Sequence, residues 1–419
     1  MTDPNTKDGK AGARFAARSA ILLSFIVALE FVIMISPFAV FFYAVFNPFL
    51  LALDQSPLTR WLTAFFLPHM IVPPSEALTV IRILGSAFFV GGMAVFLLCA
   101  LQIYVGRFFR SGAATKGLYA LIRHPLYVGL AFAALGLAIL WPRFLTLALF
   151  AVMLFLYYLL AKDEERRMLA RYGDGYGAYM ERTGMFLPKF VERLLCRGQK
   201  PPQHLGFARG AAIFLGILVA VIGGGFILRA YTVRHLPLAQ VDGVDVIAIT
   251  REDLDSATEL LPAVLGDSAI APKLRAAHGG GAGARVLVYF VPVDYVMQGL
   301  IADTGEEWKL FEQHKTIGMI AEHIFHPFAH LTGGHVHPCG AMPSHSPNMH
   351  NSPAMRRRAI FVEVSAYGNE LTSPLDDFNI NTRRKPLFFV DVHLHTGEIL
   401  QVRDMPAGSG WGTVPTPMF

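Results

Sequence analysis

The chain has 419 residues, of which 53% are hydrophobic and only 16% charged, against about 25% charged in an average soluble domain. That balance excludes a disordered chain and argues against an ordinary cytosolic enzyme, and three cysteines exclude a disulfide-rich secreted scaffold. The formal net charge of +5 carries meaning only once the basic residues are located.

Taken in chain order, Ile21–Phe46 is the first long apolar run, and Glu30 is its single acid. Such an intramembrane acid is a functional candidate by default. Asn47–Glu76, with Trp61, Pro68, Pro73 and Pro74, is expected along the outer interface. Ile83–Val105 is the second run. Leu126–Trp141 and Phe144–Leu160 are the third and fourth, parted by Trp141-Pro142-Arg143 as in a helical hairpin. Phe207–Leu228 is the fifth. About 20 apolar residues cross a hydrocarbon core as a helix, so five spans are expected.

Basic residues give the orientation. Lys7, Lys10, Arg14 and Arg18 precede the first run, Arg107, Arg110, Lys116 and Arg123 follow the second, and ten Lys or Arg lie between Lys162 and Arg209. The opposite side carries Arg60, Arg82 and Arg143. Positive loops stay cytoplasmic, which places the N-terminus inside and the C-terminus outside. The first run is too long for a signal-peptide core and reads as an anchor. The positive charge then sits beside anionic lipid headgroups, and nucleic acid is not required as a partner.

Beyond Leu228 the composition becomes that of a soluble domain. Val244–Ile249, Arg285–Val293, Ala359–Ala366 and Leu387–His395 read as strands, and Asp253–Leu265 and Glu306–Phe325 as helices. Gly279–Gly283 is a turn and not a phosphate loop, because no Lys-Ser/Thr follows it. The expected fold is an α-helical membrane bundle of about five transmembrane helices with a C-terminal extracytoplasmic α+β domain. Its expected divisions are a cytoplasmic tail (1–20), a membrane domain (21–205), a fifth transmembrane helix (206–230) and the outer domain (231–419).

Chemistry concentrates where the second run returns to the cytoplasm. Gly117-Leu-Tyr119 leads to Arg123-His124-Pro125-Leu-Tyr127-Val-Gly129. After the hairpin come Glu164-Glu165, then Tyr172-Gly173-Asp-Gly-Tyr176-Gly-Ala-Tyr179, then Pro188. Pro125 suits a first helical turn, where its missing N–H needs no partner. The free N–H groups and dipole at that helix start favour an anion, and Arg123 adds a fixed cation. Glu164 and Glu165 accept hydrogen bonds from hydroxyls or an ammonium. A zwitterionic cofactor with sugar hydroxyls, or an amphiphilic headgroup, matches such a site.

In the order of these motifs, residues of about 80–190 resemble the integral membrane methyltransferases related to isoprenylcysteine carboxyl methyltransferase and the phospholipid N-methyltransferases. The run Tyr172-Gly-Asp-Gly-Tyr176-Gly-Ala-Tyr179 departs from the group's pattern by its extra glycines. The resemblance implies S-adenosylmethionine as methyl donor at the cytoplasmic face. It implies a cofactor pocket lined by His124, Pro125, Tyr127, Gly129, Glu164 and Glu165, with Arg123, His124 and Glu165 as catalytic candidates. The acceptor would be a lipophilic or small molecule: a lipid amine, an isoprenylcysteine carboxylate or a thiol, met at the membrane lipid. Distant relatives that reduce sterols with a nicotinamide cofactor keep a reductase open as an alternative. The protein is expected to be integral to a membrane, as in a bacterial inner membrane.

A second cluster runs from Glu322 and His323 through His326, His330, His335, His337 and Cys339 to Met342, His345, Met349 and His350. Imidazole, thiolate and thioether suit zinc or copper. His335, His337 and Cys339 are the candidate metal ligands, and a membrane-anchored metal-binding or sensory protein is the rival reading.

Overall fold

The structure is a computed structural model that describes residues 47–69, 71, 75–108, 115–195, 207–278, 285–295, 298, 301–302, 355–366, 371 and 373–406. The expected first span, Glu30 and the candidate metal ligands His335, His337 and Cys339 lie outside the described residues, as do Glu306–Phe325 and Gly279–Gly283. The chain divides into two compact units. The first comprises Met1–Phe42, Ile83–Leu140 and Thr146–Val221, and the second Tyr43–Arg82, Trp141–Leu145 and Ile222–Phe419.

The first unit is helical. After a short α1 (Asn47–Asp54), which belongs to the second unit, come α2 (Glu76–Phe108), α3 (Pro125–Leu140), α4 (Phe144–Tyr172), α5 (Asp174–Arg182), α6 (Lys189–Leu195) and α7 (Phe207–Arg234). Among the described residues, three helices are long and apolar enough to cross a membrane: Glu76–Gly106, Phe144–Tyr172 and Gly210–Arg234. α3 is apolar but only 16 residues long. Ile213, Leu215, Ile217, Val219 and Ile227 of α7 are all exposed. Such a surface fits lipid better than water.

α4 continues about three turns past Leu160, where its apolar run was expected to end. Its extension is made of good helix formers, and Asp163 pairs with Arg166 and Arg167 one turn on. α2 and α3 cross with their backbones nearly touching. A side chain on Gly92 would meet Ala133 N at 2.3 Å, and one on Gly129 would meet Phe96 N at 2.8 Å. Small residues of this kind let membrane helices approach closely.

The second unit holds a six-stranded sheet in sequence order: β1 (Leu238–Val241), β2 (Val244–Ala248), β3 (Arg285–Pro292), β4 (Arg356–Ala366), β5 (Thr382–His393) and β6 (Ile399–Asp404). Neighbours are antiparallel except β2 and β3, which are parallel. That pair is joined through α8 (Arg251–Leu265) and α9 (Ala271–His278), because parallel strands need a crossover. α8 begins two residues before the expected Asp253, since Thr250 caps it by accepting from Asp253 N at 3.0 Å. Pro386 cannot donate to the ladder, and the β4–β5 register shifts at Phe361/Val362 to accommodate it.

One sheet face packs Val246, Val288, Phe361 and Val390 against Ala257, Leu261 and Val264 of α8. The other face is buried as well and carries charge, with Asp245, Arg358 and Asp391 among Leu287, Tyr289 and Ile360. Residues 63–66 run beside the α3–α4 turn: Phe66 N donates to Pro142 O at 2.8 Å and Phe144 N to Ala64 O at 3.0 Å. Arg143 is fully buried there, donating to Thr63 O and stacking on Phe65.

Candidate functional site at the open end of the α3–α4 hairpin

The site begins with a short strand-like contact. Ile122 bridges to Gly184, Arg123 N donates to Gly184 O at 2.8 Å, and His124 N donates to Met185 O at 3.1 Å. This ties the start of α3 to the segment after α5. Pro125 then opens α3, and the His124 carbonyl accepts from Val128 N at 3.2 Å. Proline at this place loses nothing, because a first-turn N–H has no helical acceptor.

The contact aims two consecutive side chains at the Glu pair on α4. Arg123 Nε donates to Glu165 Oε1 at 2.5 Å, and its Nη1 donates to Met180 O and Thr183 O. The guanidinium thus also caps the C-terminal carbonyls of α5, where a cation is favoured. His124 stands between both acids. Its Nε2 lies 3.3 Å from Glu165 Oε1 and its Nδ1 3.5 Å from Glu164 Oε2. Burial disfavours the imidazolium, but hydrogen bonds and charge from Glu164 and Glu165 outweigh it and raise its pKa above the ordinary 6.5. Both ring nitrogens therefore face carboxylate oxygens, which favours the protonated form.

Exposure separates the two acids. The Glu165 side chain is 10% exposed and that of Glu164 is 47% exposed, so Glu164 alone of the pair faces out. Aromatic rings line the buried side. His124 stacks on Tyr127 at 5.6 Å, Tyr127 on Tyr157 at 5.2 Å, and Phe186 lies 5.8 Å from the imidazole. Tyr127 and Tyr157 join Cys99, Tyr119, Leu130 and Met153 in one apolar cluster. Tyr179 donates from its hydroxyl to Tyr119 O at 2.5 Å. The Tyr119 hydroxyl itself is buried without a hydrogen-bond partner. Burial, with Glu165 and Glu164 nearby, raises Tyr176 well above an ordinary phenol, so it stays a neutral donor.

Of the sequence candidates, Arg123, His124, Tyr127, Glu164 and Glu165 converge. Pro125 is the first residue of α3, and Gly129 lies at the crossing with α2, one turn into the helix. Sequence reasoning missed Tyr157, Phe186 and the carbonyls of Met180 and Thr183, which meet the block only through folding. The unpartnered Tyr119 hydroxyl, the outward Glu164 carboxylate and the ring stack suit a donor with hydroxyl, ammonium and aromatic parts, so the residues present fit S-adenosylmethionine. Among the described residues, no group of three His, Cys, Asp or Glu is placed to hold a metal ion.

Residues 98–175 match the family model for phospholipid methyltransferase, a methyltransferase family of membranes. The matched stretch contains Arg123, His124, Tyr127, Glu164 and Glu165 and ends just before Tyr176. No curated protein and no solved structure is matched by the chain.

Proposed function

We propose that this protein, whose residues 98–175 carry the phospholipid methyltransferase match and whose apolar helices mark it as a membrane protein, transfers a methyl group from S-adenosylmethionine to a lipophilic or small acceptor at the cytoplasmic membrane face. The observation that carries the reading is His124 held between Glu164 and Glu165, with Arg123 on Glu165, inside the matched stretch.

The donor supplies an electrophilic methyl on a sulfonium and leaves as a neutral thioether, so no residue has to protonate a leaving group. Positioning then supplies most of the rate. Glu164 accepts from an ammonium or hydroxyl at the exposed edge, and Tyr119 Oη offers the buried hydrogen bond. Arg123 holds Glu165 and the end of α5 in place and is a positioning residue. His124, with a carboxylate facing each ring nitrogen, organises the two acids. Tyr127, Tyr157 and Phe186 exclude water from the reacting centre, where an anionic acceptor such as a carboxylate or thiolate loses charge without penalty. Lys162, Arg166, Arg167 and Arg171 lie in the last turns of α4, at the same end as the site, which supports its cytoplasmic face.

The full chain in detergent should bind S-adenosylmethionine, and His124→Ala should weaken binding at least tenfold while far-UV circular dichroism stays unchanged. Labelled donor incubated with fractionated lipids and thiols identifies the acceptor. A folded wild-type protein that binds no donor, or binds a nicotinamide cofactor in its place, overturns the reading.

A further inference from the structure

The unit that contains the sheet buries more guanidinium than carboxylate at one place. The short 3-10 turn Pro374–Phe378 ends on two consecutive carbonyls, each claimed by a different arginine. Arg384 of β5 donates from Nη2 to Asp377 O at 2.7 Å, and Arg229 of α7 donates from Nη2 to Phe378 O. Arg229 spends its Nη1 on Phe65 O. The two arginines are 6% and 7% exposed. Cations bonded to adjacent carbonyls repel each other, and burial removes the water that would screen them.

Among the described residues no carboxylate forms an ion pair with Arg384, whose acidic neighbour, Asp377, acts at longer range. Asp245 is engaged by Arg285, whose Nε donates to it at 2.8 Å. The Asp377 carboxyl faces Asp245 and Arg285, the latter at 3.6 Å. Burial and the Asp245 charge push its pKa up to about 8, against the opposing pull of Arg285 and Arg384. Meanwhile Arg384 Nε and Nη1 have no hydrogen-bond partner. That leaves three N–H donors of a buried cation unused, and native proteins rarely leave such groups unsatisfied.

We propose that Arg384, with Arg229 beside it, forms a binding site for a phosphate group. A guanidinium with free donors matches phosphate oxygens in shape and charge. Arg229 lies near the C-terminal end of the apolar helix Gly210–Arg234, where a span reaches headgroup depth, so the phosphate can belong to a lipid headgroup or come from solution.

The test uses the full chain, wild type and Arg384→Met, with thermal unfolding as the readout. In lipid-free neutral detergent, inorganic phosphate is compared with chloride at equal ionic strength. In a second arm, detergent micelles doped with diacylglycerol, which has no phosphate, are compared with micelles doped with phosphatidylglycerol. The site predicts a raised Tm for the wild type in at least one arm and at least a tenfold loss of that affinity in Arg384→Met. A response confined to the first arm assigns free phosphate, and one confined to the second assigns a lipid headgroup. If Arg384→Met does not fold, Arg384→Lys replaces it and should keep a reduced response. A wild type indifferent to both phosphate sources, or a variant that responds as strongly as the wild type, overturns the proposal.

Discussion

Two buried arginine–carboxylate pairs, one in each unit, use the same chemistry and finish differently. In the sheet, Arg358 meets Asp391 with two bonds of 2.6 and 2.8 Å, takes Gln298 Oε1 at 3.1 Å and lies over the Phe389 ring. Among the polar atoms of that pair none is left buried and unpartnered. Between the helices, Arg123 meets Glu165 with one bond, and Glu165 Oε1 is shared with His124. Close by stand an outward carboxylate, Glu164, and an idle hydroxyl, Tyr119. The closed pair holds two strands together. The open one keeps hydrogen-bonding capacity in reserve, as expected where something else is to bind.

Glu165→Gln gives the largest expected effect. It keeps the size of the side chain but removes the charge that Arg123 and His124 share, and the methyl-transfer rate should drop by on the order of 100-fold or more. If rate and donor affinity survive, the open pair is structural like its counterpart. Next, Asp391→Leu leaves the buried Arg358 without its carboxylate, which should cost about 3–5 kcal/mol in denaturant unfolding. The double variant Asp391→Leu/Arg358→Met should recover much of that loss, whereas pairing substitutions at Arg123 and Glu165 should restore no activity.

Tyr119→Phe comes third. It deletes a hydroxyl without a partner, so stability should hold or rise slightly, while donor affinity falls several-fold in calorimetry. A loss of Tm with unchanged affinity would reverse the assignment. The smallest effect is pH dependence. The folded state raises the His124 pKa above 6.5, so its contribution to stability is complete below about 6.5 and is lost as pH rises through the folded value. His124→Gln should flatten that slope in unfolding experiments between pH 6 and 9, and an unchanged slope would assign the titration to another group.

Much of the helical unit is legible in the residues because its signals are local. Apolar runs mark α2, α3, α4 and α7, and the Arg123-His124-Pro125 block with Glu164-Glu165 marks the site. Legibility fails where distant segments meet. Arg143, counted in the sequence only as a charge of the outer side, is fully buried and reaches Thr63 O, 80 residues away. Nothing in the local sequence announces such contacts. β1 was overlooked although Asp242-Gly243, both at positive φ, marks the tight hairpin that joins it to β2. Gly129 was expected at a cofactor, and its position is explained by the close passage of α2. Asp245 in the apolar strand Val-Asp-Val-Ile-Ala and Asp391 in Phe-Phe-Val-Asp-Val are the sequence signs of the charged sheet face.

The shortness of α3 has a consequence for depth. Sixteen residues rise about 24 Å at 1.5 Å each, less than the roughly 30 Å of a typical hydrocarbon layer. Its partner α4 runs for 29 residues, but its apolar part ends near Leu160 and the turns beyond carry charge. A span shorter than the hydrocarbon layer is met by thinning of the bilayer around it. Arg123 and His124 stand just before the first residue of that short helix, so local thinning there is expected to shorten the rise of an amphiphile from the bilayer to the site.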